Sequence, residues 1–423
     1  MNWIDKDKNT IWHPFTPLEG VDDPLLITKA DGVYLHTDDG RKIIDAISSW
    51  WVNLHGHGHP YIADRVCQQA KTLEHVVFAG FTHQPAITLA ENLLSILPEN
   101  QSKIFYSDNG STAVEVALKM AFQFWFNQNK DKKRVIAIDG AYHGDTFGTM
   151  SVGERGDFTK PFVPFLFNVD YIDFPQSGME ELVIQQFKDL IKTNDVAAFI
   201  FEPLIQGASG MRIYEAKLLD ELIAIARKHD VICIADEVMT GFGRTGELFA
   251  SDYLNNKPDI LCLSKGITGG TMALGVTSCT EEIIKVYRSS NLKKAFLHGH
   301  SFTANPLACT ASNASYDLLM KPECQASIKR ISRLNQDFVQ KNVSRPALRE
   351  IRSLGTIMAL EFETTNDSSY FSEMRNVLYP FFLEKNILLR PLGNLIYIIP
   401  PYIITDEQLL KVYEAIEEFL DTL

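Results

Sequence analysis

An α/β fold built around a mostly parallel sheet is what this sequence predicts, on three observations. Five short runs rich in Ile, Val and Phe lack strict polar alternation, as strands buried on both faces do. Stretches with helical spacing of apolar residues lie between them. An aspartate closes one of the runs and a lysine follows another, at the end where open α/β sheets bind ligands.

The elements follow in order. Residues 25–46 read as short strands around the turn Asp38-Asp39-Gly40. The five buried strands are Lys103–Ser107, Arg134–Asp139, Ala197–Glu202, Val231–Asp236 and Ile260–Ser264. After the first, Ala113, Val116, Ala117, Met120, Ala121 and Phe124 fall on one helical face. Lys217–His229 is a second amphipathic helix. Strand, helix and strand in succession predict a layered α/β domain, placed at residues 54–312. Farther on, Gly355–Phe362, Ile387–Arg390 and Leu395–Ile399 are β-like runs among helical segments. Residues 1–53 and 313–423 are read together as one smaller α+β domain built from both termini. A chain of 423 residues suggests two or three domains, or one large domain with satellites.

Charge and cysteines narrow the function classes. Lys and Arg total 40 against 53 Asp and Glu, a net charge of −13, so the basic excess of a nucleic-acid binder is missing. The run Lys130–Arg134 reads as a solvated loop. None of the six cysteines, Cys67, Cys233, Cys262, Cys279, Cys309 and Cys324, has CxxC spacing, which argues against a zinc knuckle or redox pair. Cys233 and Cys262 lie in strand-like runs, where a thiol is a small hydrophobe. Met1–His13 is polar rather than an apolar leader, and no apolar run approaches the roughly 18 residues of a membrane span. The expected setting is the cytoplasm, without membrane or nucleic-acid partners.

Four features carry chemistry. In Ser107-Asp108-Asn109-Gly110-Ser111-Thr112-Ala113 a strand ends and a helix begins. Free N–H groups and a partial positive charge there make a phosphate cup, although an ordinary Ser/Thr helix cap has the same composition. Asp236 closes a buried strand and needs a partner, either a bound group or a structural ion pair. Lys265 follows the wholly apolar Leu261-Cys262-Leu263. Desolvated there, it becomes a nucleophile toward carbonyls; otherwise it is a surface lysine at a strand end. Arg390, in Leu388-Leu389-Arg390-Pro391 with Tyr397 beyond, reads as a carboxylate fork or a structural salt bridge. Taken together, a phosphate cup, an aspartate for a protonated ring nitrogen and a Schiff-base lysine are what pyridoxal 5′-phosphate (PLP) requires.

Three other patterns compete. Gly241-Phe242-Gly243-Arg244-Thr245-Gly246 matches G-x-G-x-x-G. No helical stripe follows it, which argues against a dinucleotide fingerprint. His55, His57 and His59, with His298 and His300, look like metal ligands, yet the intervening glycines favour a turn and no zinc spacing fits, so no metal is expected. Trp50-Trp51 suits either the core or a pocket wall.

These residues resemble the fold-type I, class III PLP-dependent aminotransferases, nearly end to end. The most specific pieces are Asp236-Glu237-Val238-x-Thr240-Gly241-Phe242-Gly243-Arg244-Thr245-Gly246 and, 29 residues after Asp236, Ser264-Lys265-Gly266. The resemblance implies a seven-stranded, mostly parallel sheet in the large domain, PLP as cofactor, and a homodimer with shared active sites. It implies catalytic roles for Lys265 (Schiff-base lysine), Asp236 (partner of the pyridine nitrogen) and Tyr142 (stacked on the ring). Gly110 and Ser111 would hold the phosphate, and Ser301 would reach it from the neighbouring subunit. Arg390 would clamp a substrate carboxylate, with Trp50, Trp51, Asp145 and Tyr397 as pocket walls.

Within the class, five segments resemble the branch that serves biotin biosynthesis: Trp12-His13-Pro14-Phe15-Thr16, Ser48-Ser49-Trp50-Trp51, Tyr142-His143-Gly144-Asp145-Thr146, Ile205-Gln206-Gly207-Ala208-x-Gly210-Met211 and Leu389-Arg390-Pro391-x-Gly393-x-Leu395-Ile396-Tyr397. That branch implies S-adenosylmethionine as amino donor and 8-amino-7-oxononanoate as acceptor. Lysine as donor, another ω-aminotransferase of the class, and a silent PLP-binding scaffold are the alternatives. Two positions depart from the pattern: Phe15 stands where relatives often have Tyr, and Ser301 where many have Thr.

Overall fold

The computed structural model describes residues 2–364 and 374–423. Its centre is a seven-stranded sheet in the order Gln101–Ser107, Gly275–Thr280, Ile260–Leu263, Ile232–Asp236, Val196–Phe201, Arg134–Ile138, Asp170–Ile172. The last five run parallel to one another, and Gly275–Thr280 runs against both its neighbours. All five predicted strands are present. Val196–Phe201 and Ile232–Asp236 are buried at every position, which is why their sequences show no alternation.

Asp170–Ile172 and Gly275–Thr280 were not foreseen. The first is three residues long. The second, GVTSCT, reads as polar but is wholly buried. Its hydroxyls bond inward, Thr277 Oγ1 to the Ala113 carbonyl at 2.8 Å and Ser278 Oγ to Gln101 Oε1 at 2.7 Å. A polar group that finds such a partner is tolerated in a core.

Helix Gly110–Asn127 lies on this sheet through Ala113, Val116, Ala117, Met120 and Ala121. Asn109 caps it: its side chain accepts the Thr112 N–H at 2.9 Å, and Thr112 Oγ1 accepts the Asn109 N–H at 3.1 Å. The cap therefore falls to Asn109 and Thr112, not to Ser111. Helix Ala216–Lys228 buries Leu218, Leu219, Leu222 and Ile223. The run Lys130–Arg134 is an exposed loop at Lys130, Asp131 and Lys133, as its charge suggests, but Lys132 departs from that reading and Arg134 begins a strand. Lys132 is buried, donates to the carbonyls of His229 and Asp230 at 3.0 and 2.6 Å, and lies over the Trp125 ring at 4.4 Å. The carbonyls that end a helix attract a cation, and this one follows Ala216–Lys228.

Beside the short pair Ile205–Gln206 and Arg212–Ile213, two larger sheets complete the core. Ile27–Asp31, Tyr34–Thr37 and Lys42–Asp45 form an antiparallel set that Ile387–Leu388 joins in parallel. Leu348–Leu354, Ile357–Phe362 and Leu395–Ile398 form the other. Gly355, expected to start a strand, instead turns the chain between the first two of these with φ of 59°, and the Ile387–Arg390 run is a strand only over Ile387–Leu388. Among the described residues no helix is long and apolar enough to cross a membrane.

Candidate active site

The parallel strands deliver their chemistry to one edge. Ala235 pairs with Phe201 across the sheet, so Asp236 and Glu202 leave it side by side. Lys265 follows the neighbouring strand Ile260–Leu263, and Tyr142 and His143 follow Arg134–Ile138. This is the carboxyl end, where a crevice forms in such sheets.

Asp236 is buried. One carboxylate oxygen accepts His143 Nδ1–H at 2.7 Å and the other the Val238 N–H at 3.1 Å. His143 is itself buried, and its Nε2 has no hydrogen-bond partner among the described residues. Lys265 forms no ion pair among the described residues. Its ammonium lies 4.7 Å from the centre of the Trp51 ring. Burial pushes its pKa below the ordinary lysine value, against the pull of the Asp236 and Glu202 carboxylates. Tyr142 donates its backbone N–H to Glu202 at 3.0 Å, and burial together with Asp145 raises its phenol above the usual range.

The cup at the start of helix Gly110–Asn127 sits against this cluster. The Asp145 N–H donates to Ser111 Oγ at 3.3 Å. A Cβ on Gly110 would come within 2.7 Å of Val238 Cγ1, and one on Gly144 would collide with Ser111 Oγ. Glycine at both positions lets the helix N-terminus approach the sheet edge closely. Trp51 carries the site outward: buried, it meets Lys265 on one side and the edge of the fully buried Tyr397 at 5.9 Å on the other. Trp50 is 41 % exposed, and the Arg390 guanidinium lies over its ring at 4.7 Å. No carboxylate pairs with Arg390 among the described residues. Phe15 joins the group at 5.7 Å from Trp50 and 5.9 Å from Phe158.

Thus Lys265, Asp236, Tyr142, Gly110, Ser111, Asp145, Trp50, Trp51, Tyr397 and Arg390 converge. Ser301 stands apart, exposed in a turn at residues 301–304. The competing patterns resolve locally. Gly241–Gly246 is a turn whose Arg244 is buried, and it opens no α-helix: bends and the short 3-10 helix Ala250–Tyr253 follow. His57 Nε2 meets Asp45 at 2.9 Å and His55 Nε2 meets Ser315 Oγ at 3.0 Å. Desolvation pushes His55 down to about 3.

The family model of the class-III aminotransferases matches residues 18–420. The chain belongs to that family. A curated relative from Synechococcus elongatus, an adenosylmethionine-8-amino-7-oxononanoate aminotransferase, is 44 % identical over 97 % of this chain and 98 % of its own. A relative of the same name from Corynebacterium glutamicum is 37 % identical over 97 % and 96 %. Among solved structures, the protein of that name from Methanocaldococcus jannaschii superposes with a TM-score of 0.91 at 34 % identity, covering 98 % of both chains. A PLP-bound amine transaminase from an uncultivated Pseudomonas species superposes at 0.91 with 27 % identity, over 96 % of this chain and 97 % of that one.

In this class-III aminotransferase the candidate site includes two further residues. His143 stands in the Tyr142–Thr146 segment, where spacing alone assigns it no role. Glu202 closes its strand as Asp236 does, which was a usable signal. Glu202 accepts the Tyr142 and Gly207 N–H groups at 3.0 and 2.9 Å. Burial, with Asp236 nearby, raises its carboxyl to about 7, against the opposing pull of His143.

A pH test follows. The unfolded state ionises Glu202 near the ordinary 4.5 and the folded state near 7. Between those values the folded state holds more protons, so this group erodes stability as pH rises. Relative to the parent, apo Glu202→Gln is expected to gain about 3 kcal/mol on going from pH 4.5 to pH 8. Gln leaves one N–H without an acceptor, a loss that does not change with pH. Urea unfolding of both proteins across that range checks the slope.

Proposed function

We propose that this protein transfers an amino group from S-adenosylmethionine to 8-amino-7-oxononanoate, a step of biotin biosynthesis, with PLP as cofactor. The observation that carries the reading is Arg390: a guanidinium without a carboxylate partner among the described residues, held over Trp50 at the mouth of a site whose floor is Trp51 and Lys265. A free guanidinium recognises a carboxylate in a two-pronged fork. The apolar wall suits the chain behind such a carboxylate, and a ring face also accepts a sulfonium cation. The names of the relatives point the same way.

The residues fit PLP. Gly110 and Ser111 lie at a helix N-terminus whose glycine-lined approach suits a phosphate. Asp236 offers a buried anion for a ring N–H. His143, with one nitrogen spent on Asp236 and the other unpartnered, anchors that anion. When bound, PLP supplies an electron sink that lets the bond between the amine-bearing carbon and its hydrogen break.

The chain's own residues do the rest. Lys265 Nζ, desolvated toward its neutral form, takes that proton and delivers it back on the acceptor half. Tyr142 covers one face of the site. Trp51 and Tyr397 exclude water around Lys265, while Arg390 holds the carboxylate of 8-amino-7-oxononanoate at the mouth and Trp50 lines the path of either substrate. Ser301 completes the phosphate cup of a partner subunit in a homodimer. Its exposed hydroxyl, flanked by exposed Leu297 and Phe302, supports that placement. Residues 54–312 carry the cofactor, and the two termini form the smaller domain.

The deciding experiment is a half-reaction. PLP-loaded protein is mixed with S-adenosylmethionine, or separately with lysine, and the visible cofactor band is followed. The band is expected to fade with S-adenosylmethionine. Fading with lysine alone would replace the donor, and no change with either would overturn the reading. In the acceptor half-reaction, Arg390→Ala is expected to raise the 8-amino-7-oxononanoate KM about 100-fold, as loss of a charge-assisted fork implies. Equal damage to both halves would refute the clamp.

A further inference from the structure

The turn that presents Trp50 and Trp51 is held in an unfavourable backbone. Ser48, Ser49 and Trp51 have φ of 53°, 61° and 67°, and ψ at Ser49 is −81°. Such conformations persist in residues other than glycine only when their surroundings over-determine them. Two buried charged side chains do so from opposite ends. Asp45, fully buried, accepts the N–H of Ser49 at 2.6 Å and of Ile47 at 3.2 Å, together with Ser49 Oγ at 3.1 Å. His57 fixes the carboxylate from behind through Nε2 at 2.9 Å, and Asn53 bonds the other ring nitrogen at 3.1 Å.

Arg244, equally buried, holds the exit. It donates to the carbonyls of Trp51 at 3.3 Å, Asn53 at 3.2 Å and Pro400 at 2.9 Å. Its guanidinium lies 5.1 Å from the Tyr402 ring. Ser48 Oγ donates to the Ile399 carbonyl at 2.7 Å, which ties the turn to the segment that carries Tyr397. The Gly241–Gly246 motif thereby gains a purpose. Gly243 has φ of 99° and Gly246 of 101°, and these turns bring a buried arginine beneath the tryptophan pair.

We infer that Asp45 and Arg244 are positioning residues for specificity. They clamp the amides and the carbonyls of one strained turn, so that Trp50 faces Arg390 at the mouth while Trp51 faces Lys265 at the floor. This rests on the reading of Trp50 and Trp51 as walls for both substrates. Neither clamp residue meets the substrate. Their loss frees the turn to relax toward ordinary backbone angles and separates the two rings from Arg390 and Lys265.

The test is Asp45→Asn, which keeps shape but removes the anion. Hydrogen–deuterium exchange over residues 46–54 of the apoprotein is expected to quicken at least tenfold, with the rest of the molecule and the thermal midpoint little changed. In the PLP-loaded enzyme, KM for S-adenosylmethionine and for 8-amino-7-oxononanoate is expected to rise about tenfold, kcat changing less and the resting cofactor spectrum not at all. Unchanged exchange would overturn the clamp. Faster exchange with unchanged KM would overturn its role in specificity. If the parent protein turns over neither substrate, the functional reading fails while the exchange result still judges the clamp. Should Asp45→Asn fail to fold, Ser49→Ala removes one bond to the same carboxylate. It is expected to move exchange and KM in the same directions about threefold, and no movement in either would overturn the proposal.

Discussion

Replacing Lys265 by alanine is expected to lower turnover by at least about 10⁴-fold while leaving the fold intact. Among the described residues, the other ionisable groups beside Lys265 are engaged. The other ionisable neighbours, Asp236 and Glu202, are held by His143 and by the backbone N–H groups of Val238, Tyr142 and Gly207. Tyr142 has a phenol raised above its usual range, so it is no base near neutrality. Among the described residues the amine of Lys265 makes no hydrogen bond or ion pair that alanine would break; its ammonium faces the Trp51 ring.

Stability separates this from a folding defect. Because burial lowers the Lys265 pKa, the unfolded state binds its proton more tightly than the folded state does. Folding is penalised below the folded pKa, and the penalty shrinks as pH rises toward the ordinary 10.5. Apo Lys265→Ala should therefore be at least as stable as the parent at pH 7, with its advantage declining as pH rises. Thermal unfolding of the two apoproteins at pH 7 and pH 10, beside steady-state assays, reads both effects. Retained turnover would remove Lys265 from the chemistry.

How much of this was legible depends on where the information resides. Strands such as Val196–Phe201 announce themselves because burial on both faces demands an unbroken apolar run. Gly275–Thr280 did not, since its Thr277 and Ser278 are satisfied by Ala113 and Gln101, residues distant in the chain. Lys132 reads as a surface charge until the carbonyls of His229 and Asp230 are known to lie against it. The same divide runs through the site. Lys265 and Asp236 were conspicuous as ionisable groups at the ends of apolar strands. Asp45 and Arg244 gave no such signal, because what they hold is a backbone shape assembled from residues 45–57, 244 and 399–400. Contacts across such separations belong to the tertiary structure, and spacing in one sequence does not encode them.

Asp236→Asn is expected to reduce turnover by about 10²–10³-fold, the scale on which removing one preorganised electrostatic group acts. The substitution keeps volume and spares one bond, because the amide oxygen can still accept the Val238 N–H now at 3.1 Å. The other side is where it fails. His143 Nδ1–H donates at 2.7 Å to an acceptor-only oxygen, and the asparagine NH₂ would meet that N–H donor to donor. His143 can escape by moving its proton to Nε2, which lies buried without a partner among the described residues. The variant thus loses the negative charge and forces the histidine into the other tautomer.

Both changes weaken the hold on a protonated ring nitrogen. The effect should fall on the rate of proton removal rather than on substrate binding, so kcat drops in both half-reactions with each KM within a few-fold. Primary deuterium isotope effects with α-deuterated donor should grow as that step becomes limiting. Substituting His143 by alanine in the parent spares the carboxylate and removes its Nδ1–H donor, so a milder loss in the same step is expected. If Asp236→Asn instead raised KM and left the single-turnover rate unchanged, Asp236 would be a binding group, and the proton at the ring nitrogen would need another keeper.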